Sequence, residues 1–479
     1  MKKFLALCLL AASAFATEDE VTYLDQASSY TASEEALQEF LKIARLDGNS
    51  SGLNSHAKLL KKIEKRASKI IANKINTHQR DVGSIFGSHA ARAAVKQSSR
   101  SGSTLQAQSA YGAAGGDSVK GSNVTFVSSA TVANNIAILG VAHKNPGCHL
   151  ITSKIEHKSV LNVFRHLEKN RYKVTYLDVD RYGNVDLEQL RRSIRKDTKL
   201  ISIQMLNSEI GALQDLKAIG KIAHQCGILF HTDAAQAFCK YDIDVVALHI
   251  DLLTIAGHKI GAPRGIAALY VRDPSQLQPI LFGSGDELFP GSKPTELIAA
   301  FAVAVKNFHW DREQIKQNFE ALITELTKIE NIHLNTAQSS HMVSLSIEGV
   351  LLTDLLERLK NYSFSAGCSC TGSERSNVME AIDPENKLPS CTIRVSFSDS
   401  VEPRQLKKFA QKLKIVVDQL RREKSVGNGC QTNVTLDPPM ANVTFDPPIA
   451  SPYLYHRMPS DLPKQILTKA LKEKRRQPK

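Results

Sequence analysis

Short apolar segments alternate with longer stretches of helical periodicity through the central part of this 479-residue chain. Seven of the apolar segments have four or five residues and no Asp, Glu, Lys or Arg, which is typical of strands buried on both faces of a sheet. Because helical stretches lie between most of them, the pattern predicts a largely parallel α/β sheet with helices on both faces. Ligands in such folds bind at the carboxyl ends of the strands. The predicted strands are Val124–Val127, His149–Thr152, Val174–Leu177, Leu200–Ile203, Ile228–His231, Leu252–Ile255 and Ala267–Val271.

Two further regions flank this sheet. Before it, a short strand is expected at Val21–Asp25, and a helix begins at Ser33, where two glutamates follow in the first turn. After it, a long helix leads into a second α/β unit with strands near Val343–Ile347 and Thr392–Ser396 and a helix over about residues 402–420.

Changes in composition divide the chain into segments. A stretch rich in Ser, Gly and Ala is expected to be a flexible insertion, and the Pro- and Asn-containing end is expected to be extended or disordered. The expected organisation is a signal-peptide-like segment (1–16), an N-terminal segment of the small domain (17–76), the insertion (77–121), a large ligand-binding domain (122–300), a C-terminal small domain (301–422) and a basic tail (423–479).

The N-terminus has the pattern of a secretory signal peptide. Lys2 and Lys3 precede an apolar run over residues 4–12, and the triplet at residues 14–16, Ala-Phe-Ala, fits a cleavage site. Targeting to the secretory pathway or to an organelle is therefore expected. The sequence ASAFAT is similar to the ASAFAP motif of bipartite plastid presequences, although three acidic residues follow at once. The alternative is an apolar start to a cytosolic helix and a cytoplasmic protein.

The charge distribution argues against nucleic acid as a partner. The formal net charge is +13, from 61 Lys and Arg against 48 Asp and Glu. Residues 457–479 alone contain eight basic and two acidic side chains, so the rest of the chain is only mildly basic. No apolar run reaches 18 residues, and no membrane span is expected. None of the eight cysteines has the spacing of a zinc site, so no metal is predicted.

A lysine and several polar residues that could form a site for a reactive amine lie at the ends of two of the predicted strands. Asp233 ends one strand in HTDAAQAFCK and Gln236 follows it, while His258 and Lys259 end the next strand in DLLTIAGHK. A lysine between an apolar strand and a glycine-rich turn is expected to be partly buried, and burial lowers the lysine pKa and suits it to Schiff-base formation. An acid on the neighbouring strand can keep a pyridinium nitrogen protonated.

These two motifs, with PRGIAALYVR downstream, resemble the class V aminotransferase family, and within it the cysteine desulfurases and selenocysteine lyases. The likeness extends over residues 22–420, apart from the insertion. It implies a PLP-dependent transferase of fold type I, with a mostly parallel seven-stranded sheet in the large domain and a smaller C-terminal α/β domain. It also implies pyridoxal 5′-phosphate (PLP) as the cofactor, bound to the large domain.

The resemblance assigns cofactor contacts one motif at a time. FVSSATVANN resembles a phosphate-binding loop with Thr131 at a helix start, and His157 matches a histidine that stacks on the cofactor ring. LNSEIGALQD has Ser208 where the family has a second Asn beside the phenolic oxygen. Ser292 supplies a hydroxyl where a family threonine reaches the phosphate of the partner subunit, but the loop before it is shorter than in the family and lacks its Arg. The implied cofactor-binding residues are Ala130, Thr131, His157, Asn207, Ser208, Asp233, Gln236, His258 and Ser292.

The same resemblance implies the residues of the reaction. Lys259 matches the lysine that binds the cofactor and moves protons, and Arg394 in TIRVSFSDS matches an arginine that holds the substrate α-carboxylate. FSAGCSC resembles a mobile loop in which Cys370 attacks the substrate sulfur. Cys368 is an extra thiol, expected to be a spectator, with resolution of a persulfide as the alternative.

The expected activity is conversion of L-cysteine to L-alanine, with the sulfur carried as a persulfide and passed to an acceptor protein, as in iron–sulfur cluster assembly. Two alternatives stay open. A selenocysteine lyase acting on L-selenocysteine has the same residue types. A degenerate, non-catalytic scaffold is suggested by the departures at Ser208, Ser292 and Asp399. The family also implies a homodimer with the active site at the subunit interface.

Overall fold

The computed structural model describes residues 21–76, 123–336, 338–366 and 376–427. The expected signal peptide, the insertion, nearly all of the basic tail, and both Cys368 and Cys370 lie outside these residues. Among the helices that are described, none combines the length and the apolarity that crossing a bilayer requires.

Strands and helices alternate through the central part of the chain, and a smaller group follows it. The strands are β1 Thr22–Tyr23, β2 Val124–Val127, β3 His149–Ser153, β4 Lys173–Leu177, β5 Thr198–Ser202, β6 Leu229–Asp233, β7 Leu252–Ala256, β8 Ala267–Val271, β9 Ile332–Leu334, β10 Met342–Ile347, β11 Tyr362–Ser363, β12 Ser365–Ala366 and β13 Cys391–Ser396. The helices are α1 Glu34–Ala44, α2 Ser55–Lys74, α3 Ala130–Lys144, α4 Lys158–Lys169, α5 Leu187–Ser193, α6 Leu216–Gln225, α7 Thr295–Asn307, α8 Arg312–Leu326, α9 Leu352–Arg358, α10 Asn377–Ile382 and α11 Pro403–Gly427.

The predicted seven-stranded sheet is confirmed, with the strand order β2-β8-β7-β6-β5-β3-β4. β8 is antiparallel to β2 and β7, and the other neighbours are parallel. The successive residues Leu200 and Ile201 of β5 lie in different apolar cores, because side chains alternate between the two faces of a strand. Helices α3 and α4 contribute to one of these cores, and α6 and α7 contribute to the other.

The residues after α7 form a second, smaller α/β unit. Its antiparallel sheet has the order β12-β13-β10-β9, and its core includes Phe397 and the α11 residue Phe409, both fully buried. α11 continues beyond its predicted end to Gly427. No glycine or proline interrupts it earlier, and Arg421 secures its final turns by donating to the carbonyl oxygen of Glu348 at 3.0 Å.

The N-terminal segment packs against both units. β1 pairs in parallel with β11, and Leu24 lies in the core of the smaller unit. α1 and α2 instead pack on α7 of the large unit. The helix start predicted at Ser33 is confirmed, because the Ser33 side chain caps α1. Between these elements the chain passes the carboxyl ends of β6 and β7, where the Tyr30 amide donates to the carbonyl oxygen of His258 at 2.9 Å.

Candidate active site

The carboxyl ends of β6 and β7 lie side by side. Asp233, the last residue of β6, pairs with Thr254 of β7. Lys259 does not end the strand itself, as the sequence predicted, but ends a short 3-10 turn that begins at Gly257. A side chain at Gly257 would place its Cβ 2.9 Å from the carbonyl oxygen of Ile266. Glycine therefore allows the turn that carries the lysine to pack against the start of β8.

Lys259 is partly buried and points toward the N-terminal segment. Its Nζ donates to the carbonyl oxygen of Ala27 at 2.6 Å, and Gln236 Nε2 donates to the same oxygen at 2.7 Å. Burial, and after it the nearby Arg394 guanidinium, lower the pKa of Lys259 to about 8. About a tenth of this amine is therefore unprotonated at pH 7, far more than for an ordinary lysine, and the unprotonated form is the one that attacks a carbonyl carbon.

The carboxylate of Asp233 is oriented by neutral donors. Its Oδ2 accepts from Asn134 Nδ2 at 2.8 Å, and its Oδ1 accepts from the Ala235 amide at 2.9 Å. Asn134 also donates to Ser159 Oγ at 2.9 Å. Sequence reasoning missed Asn134 as a site residue, although it lies in FVSSATVANN. Its signal would have been a polar residue on the buried face of an otherwise apolar helix.

The start of α3 is open to an anion. Ser129 caps the helix, with its Oγ accepting from the Val132 amide at 3.3 Å. Thr131 is exposed in the first turn and Ala130 is partly buried. Free amides and the helix dipole make such a terminus suited to a phosphate group. Asn134, one turn further on, connects this helix to Asp233.

Two histidines flank the lysine and the acid. His157 caps α4, and its Nδ1 accepts from the Ser159 amide at 3.1 Å. The ring is accessible to water, but the protein around it partly desolvates it, and this lowers the pKa of His157. The charge of Asp233 acts in the opposite direction. Burial, followed by the charge of Lys259, lowers the pKa of His258 to about 4. Both rings are therefore favoured in their neutral form, which suits stacking more than ion pairing.

A second lysine lies buried close to this region and was also missed. Lys240 ends the motif HTDAAQAFCK, and its Nζ lies 5.0 Å from the centre of the Tyr30 ring and 5.7 Å from that of Trp310. Burial, and then the charge of Lys259, lower its pKa to about 7. Among the described residues none accepts a hydrogen bond from this Nζ, and the two aromatic rings can stabilise a cation without a carboxylate.

The turn that contains Asn207 and Ser208 is held largely by its own contacts. Asn207 Oδ1 accepts from the amides of Glu209 and Ile210 at 2.8 and 2.9 Å, and its Nδ2 donates to the Ile155 carbonyl oxygen at 3.0 Å. The structure thus shows Asn207 shaping the turn. Ser208 contributes its carbonyl oxygen to the site, as described next.

Arg394 of β13 reaches from the smaller unit into this edge of the large sheet. Its Nη1 donates to the Ser208 carbonyl oxygen at 2.6 Å. Its Nη2 lies 2.5 Å from Asp25 Oδ1, 2.9 Å from Ser28 Oγ and 2.8 Å from Ser365 Oγ. Asp25 is a further residue that sequence reasoning missed, since nothing local marks a carboxylate whose partner is 369 positions away.

Ser292 is the residue that the resemblance places at the cofactor phosphate of the partner subunit. It lies on the surface, and its Oγ accepts from Asn49 Nδ2 at 3.1 Å. Its neighbour Lys293 forms an ion pair with Asp286 at 3.3 Å. The loop that contains Ser292 is thus fixed by one contact with the turn before α2 and by one ion pair within the loop.

The assembled groups fit a phosphate-bearing pyridine cofactor. An amine, a carboxylate and an open helix start all lie at the carboxyl edge of the sheet. Gln236 Oε1 and Asn134 Oδ1 are buried there, and within the described residues neither has a hydrogen-bond partner. Buried polar atoms are usually paired, so these two atoms indicate a place where a ligand or water completes the network.

Known proteins resemble this chain in sequence. The family model for class-V aminotransferases matches residues 118–409. Cysteine desulfurase IscS of Pseudomonas putida (strain W619) is 37% identical over 313 residues, which cover 62% of this chain and 78% of the relative. The mitosomal cysteine desulfurase of Trachipleistophora hominis is 38% identical over 320 residues, which cover 62% of this chain and 73% of the relative.

The fold is similar to that of solved proteins as well. The structure described as SspA in complex with cysteine matches with a TM-score of 0.64 and 31% sequence identity. The match covers 79% of this chain and 99% of that chain. The likeness in sequence therefore extends to the arrangement of both units.

Proposed function

The chain belongs to the cysteine desulfurase group of the class-V aminotransferase family, and on this premise we propose that it is a PLP-dependent cysteine desulfurase that converts L-cysteine to L-alanine. The observation that supports this most is the meeting of Lys259 and Arg394 at the same N-terminal segment, with Asp233 beside them. An amine for the cofactor and a guanidinium for a carboxylate are the two groups that an amino-acid substrate of such an enzyme requires.

Residues of the large unit would hold PLP. Lys259 would bind its aldehyde carbon, and Asp233 would keep its pyridine nitrogen protonated. The start of α3, with Ala130 and Thr131, would receive the phosphate, and His157 would cover the ring. The implied contacts of Asn207, Ser208, Gln236 and His258 complete the proposed set within one chain, and Ser292 would reach the phosphate in the partner subunit of the proposed homodimer.

The chain's own residues would then carry the proton transfers. PLP, when bound, supplies an electron sink beside the substrate α-carbon. Lys259, with its lowered pKa, takes the proton from that carbon and later returns a proton to the product. Arg394 binds the α-carboxylate, for which its planar fork of N–H groups is suited. Partial burial of both groups limits the access of water to the reacting atoms.

Cys370 is the proposed sulfur acceptor. Its thiolate forms a bond to the substrate sulfur while the carbon–sulfur bond breaks, and the electron pair of that bond stays with the carbon. That carbon takes up a proton and becomes the methyl group of alanine, which leaves a persulfide on Cys370. An acceptor protein with a free thiol would take the terminal sulfur.

The decisive experiment measures alanine from L-cysteine and from L-selenocysteine with purified, PLP-loaded protein. We expect alanine from L-cysteine and, by mass spectrometry, an added sulfur on Cys370. Cys370→Ser should abolish both signals, and the matched variant Cys368→Ser should keep most activity. Turnover of selenocysteine alone would identify a selenocysteine lyase. Absence of near-visible absorption after PLP addition would identify a non-catalytic scaffold.

A homodimer is part of the proposal. Leu53 and Phe282 are 87% and 86% exposed, and they lie on the two segments that the Asn49–Ser292 hydrogen bond joins. Large apolar side chains so exposed are suited to an interface. We expect sedimentation to give twice the monomer mass and Phe282→Asp to reduce it. A monomeric wild-type protein at micromolar concentration would argue against the dimer.

An organelle is the proposed location. The signal-like N-terminus supports it, and one relative is described as mitosomal. Fusion of residues 1–20 to a fluorescent protein in a eukaryotic host should direct that protein out of the cytosol. Uniform cytosolic fluorescence would favour the cytoplasmic alternative.

A further inference from the structure

The guanidinium proposed to bind the substrate already has a carboxylate partner within the protein. Arg394 Nη2 lies 2.5 Å from Asp25 Oδ1. The two side chains are only 10% and 16% exposed, so this ion pair is far less screened by water than a surface pair. Asp25 is therefore not a distant counter-charge but a direct ligand of the guanidinium.

The remaining N–H groups of Arg394 are also largely committed. Nη2 has Ser28 Oγ and Ser365 Oγ as further acceptors, and Nη1 donates to the Ser208 carbonyl oxygen. Nε is buried and lies against none of the described acceptors within hydrogen-bond distance. A guanidinium offers five N–H groups, and a two-point contact needs two adjacent ones. An incoming carboxylate that engages both Nη atoms must therefore share Nη2 with Asp25 or displace it.

The position of Asp25 is fixed by more than this one contact. The backbone of Asp25 forms a β-bridge with Ser396 at the end of β13, and its side-chain Oδ1 accepts from Ser365 Oγ at 2.8 Å. Asp25 is thus held through its backbone and its side chain by two strands of the smaller unit, and its carboxylate cannot move away freely. Bringing a second carboxylate to Arg394 places two anions beside one cation in a partly buried site, which costs binding free energy.

We propose that Asp25 is a residue that sets the affinity of this site for carboxylates, acting as an internal competitor of the substrate α-carboxylate for Arg394. The inference rests on the proposed function, because it takes Arg394 as the substrate clamp. Asp25 makes the enzyme bind amino acids more weakly than Arg394 alone would allow. A weaker complex keeps the site responsive to substrate concentration instead of saturated.

The test is Asp25→Asn, which keeps the shape and one acceptor oxygen but removes the charge. The Ser28, Ser208 and Ser365 oxygens still hold the guanidinium. We expect propionate, a carboxylate without an amino group, to bind the PLP-loaded protein about tenfold more tightly in this variant. The KM for L-cysteine should fall in the same direction. Binding of L-alaninamide, which lacks the carboxylate, should not tighten.

The matched control is Asp197→Asn. Asp197 forms an exposed ion pair with Lys173 at 2.6 Å, so this variant makes the same charge change away from the site. Its propionate affinity should equal that of the wild type. If both variants bound propionate more tightly to the same extent, the cause would be the change in net charge, and the inference would be overturned.

Two outcomes separate the inference from the proposed function. If Asp25→Asn weakens propionate binding and raises KM, Asp25 positions Arg394 instead of competing for it, and the inference is wrong while the function stands. If Arg394→Gln leaves the KM for L-cysteine and the propionate affinity unchanged, Arg394 is not the clamp and that part of the proposed function is wrong. Thermal unfolding of each variant checks that the fold is retained.

Discussion

The lysine side and the arginine side of the candidate site are built in different ways. On the lysine side, Asp233 ends β6 with Gln236 just beyond it, and Lys259 follows the adjacent parallel strand β7. On the arginine side, Arg394 of the smaller unit meets Asp25, which lies 369 positions away. The first arrangement follows from strand order alone, whereas the second exists only when the N-terminal segment passes between the two units.

The acids on the two sides also have different partners. Asp233 accepts from the amide groups of Asn134 and Ala235, which are neutral. Asp25 accepts from a guanidinium. Neutral donors orient a carboxylate and leave its charge in place, but an ion pair cancels most of it. The lysine side can therefore attract a cationic ligand atom, while on the arginine side an incoming carboxylate must share or displace an internal contact.

The largest effect is expected on the lysine side, from Lys259→Ala. This variant lacks both the amine that binds the cofactor and the base, so alanine formation from L-cysteine should fall by at least about 1,000-fold. Lys173→Ala, which removes an exposed lysine on β4, should keep full activity. Substantial turnover by Lys259→Ala would show that the reactive amine lies elsewhere.

On the arginine side, Arg394→Lys should have the next largest effect. Lysine keeps the charge but not the fork, so kcat/KM should fall by about tenfold to 100-fold, mainly through KM. The near-visible spectrum of the PLP-loaded protein should not change, because the two sides are distinct. A lost spectrum with an unchanged KM would mean that Arg394 serves the cofactor.

Asn134→Ala tests the lysine side, where a change should affect the cofactor and not the substrate. Removing the donor to Asp233 Oδ2 should weaken PLP binding by about tenfold, since a hydrogen bond to a charged group contributes about 1.5–3 kcal/mol. The KM for L-cysteine at saturating PLP should remain near that of the wild type. An increase in KM without any loss of PLP affinity would contradict the separation of the two sides.

The smallest expected effect is a shift in the pH dependence of PLP binding, caused on the lysine side by a change at Asp25 on the arginine side. The unprotonated amine is the attacking form, so the rate of PLP binding to PLP-free protein should rise with pH. Because burial, followed by Arg394, lowers the pKa of Lys259 to about 8, the midpoint should lie near that pH. Asp25 raises the pKa of Lys259, so Asp25→Asn should move the midpoint downward, by less than about one pH unit. A midpoint near that of an ordinary lysine would show that the amine is solvated.

Much of the large unit could be predicted from the chain because its signals are local. Each buried strand is a short run of apolar residues, and two of the seven, Val124–Val127 and Ala267–Val271, have the predicted bounds. The helix start at Ser33 was readable from a capping residue and its acidic first turn. The turn at Gly257 was not, because it depends on how closely the chain approaches Ile266.

The sequence predicted the site residues that lie within one motif. It did not predict contacts with residues from distant parts of the chain. HTDAAQAFCK and DLLTIAGHK indicated Asp233, Gln236 and Lys259, yet Lys240 within the same motif went unnoticed, because only the packing of Tyr30 and Trp310 reveals its burial. Ser292 was assigned through a motif to the phosphate of the partner subunit, and within the single chain its Oγ accepts from Asn49 Nδ2.

The sequence by itself determined the strand and helix pattern, the motif residues at the ends of β6 and β7, and the membership of a family, since each depends on residues close together in the chain. Only the tertiary structure decided which groups meet Arg394 and Lys259. Asp25, Ala27 and Ser28 reach them because β1 pairs with β11 while α1 packs on α7, which stretches the intervening segment across the site. Contacts of this kind depend on packing between distant parts of the chain, and no local pattern records them.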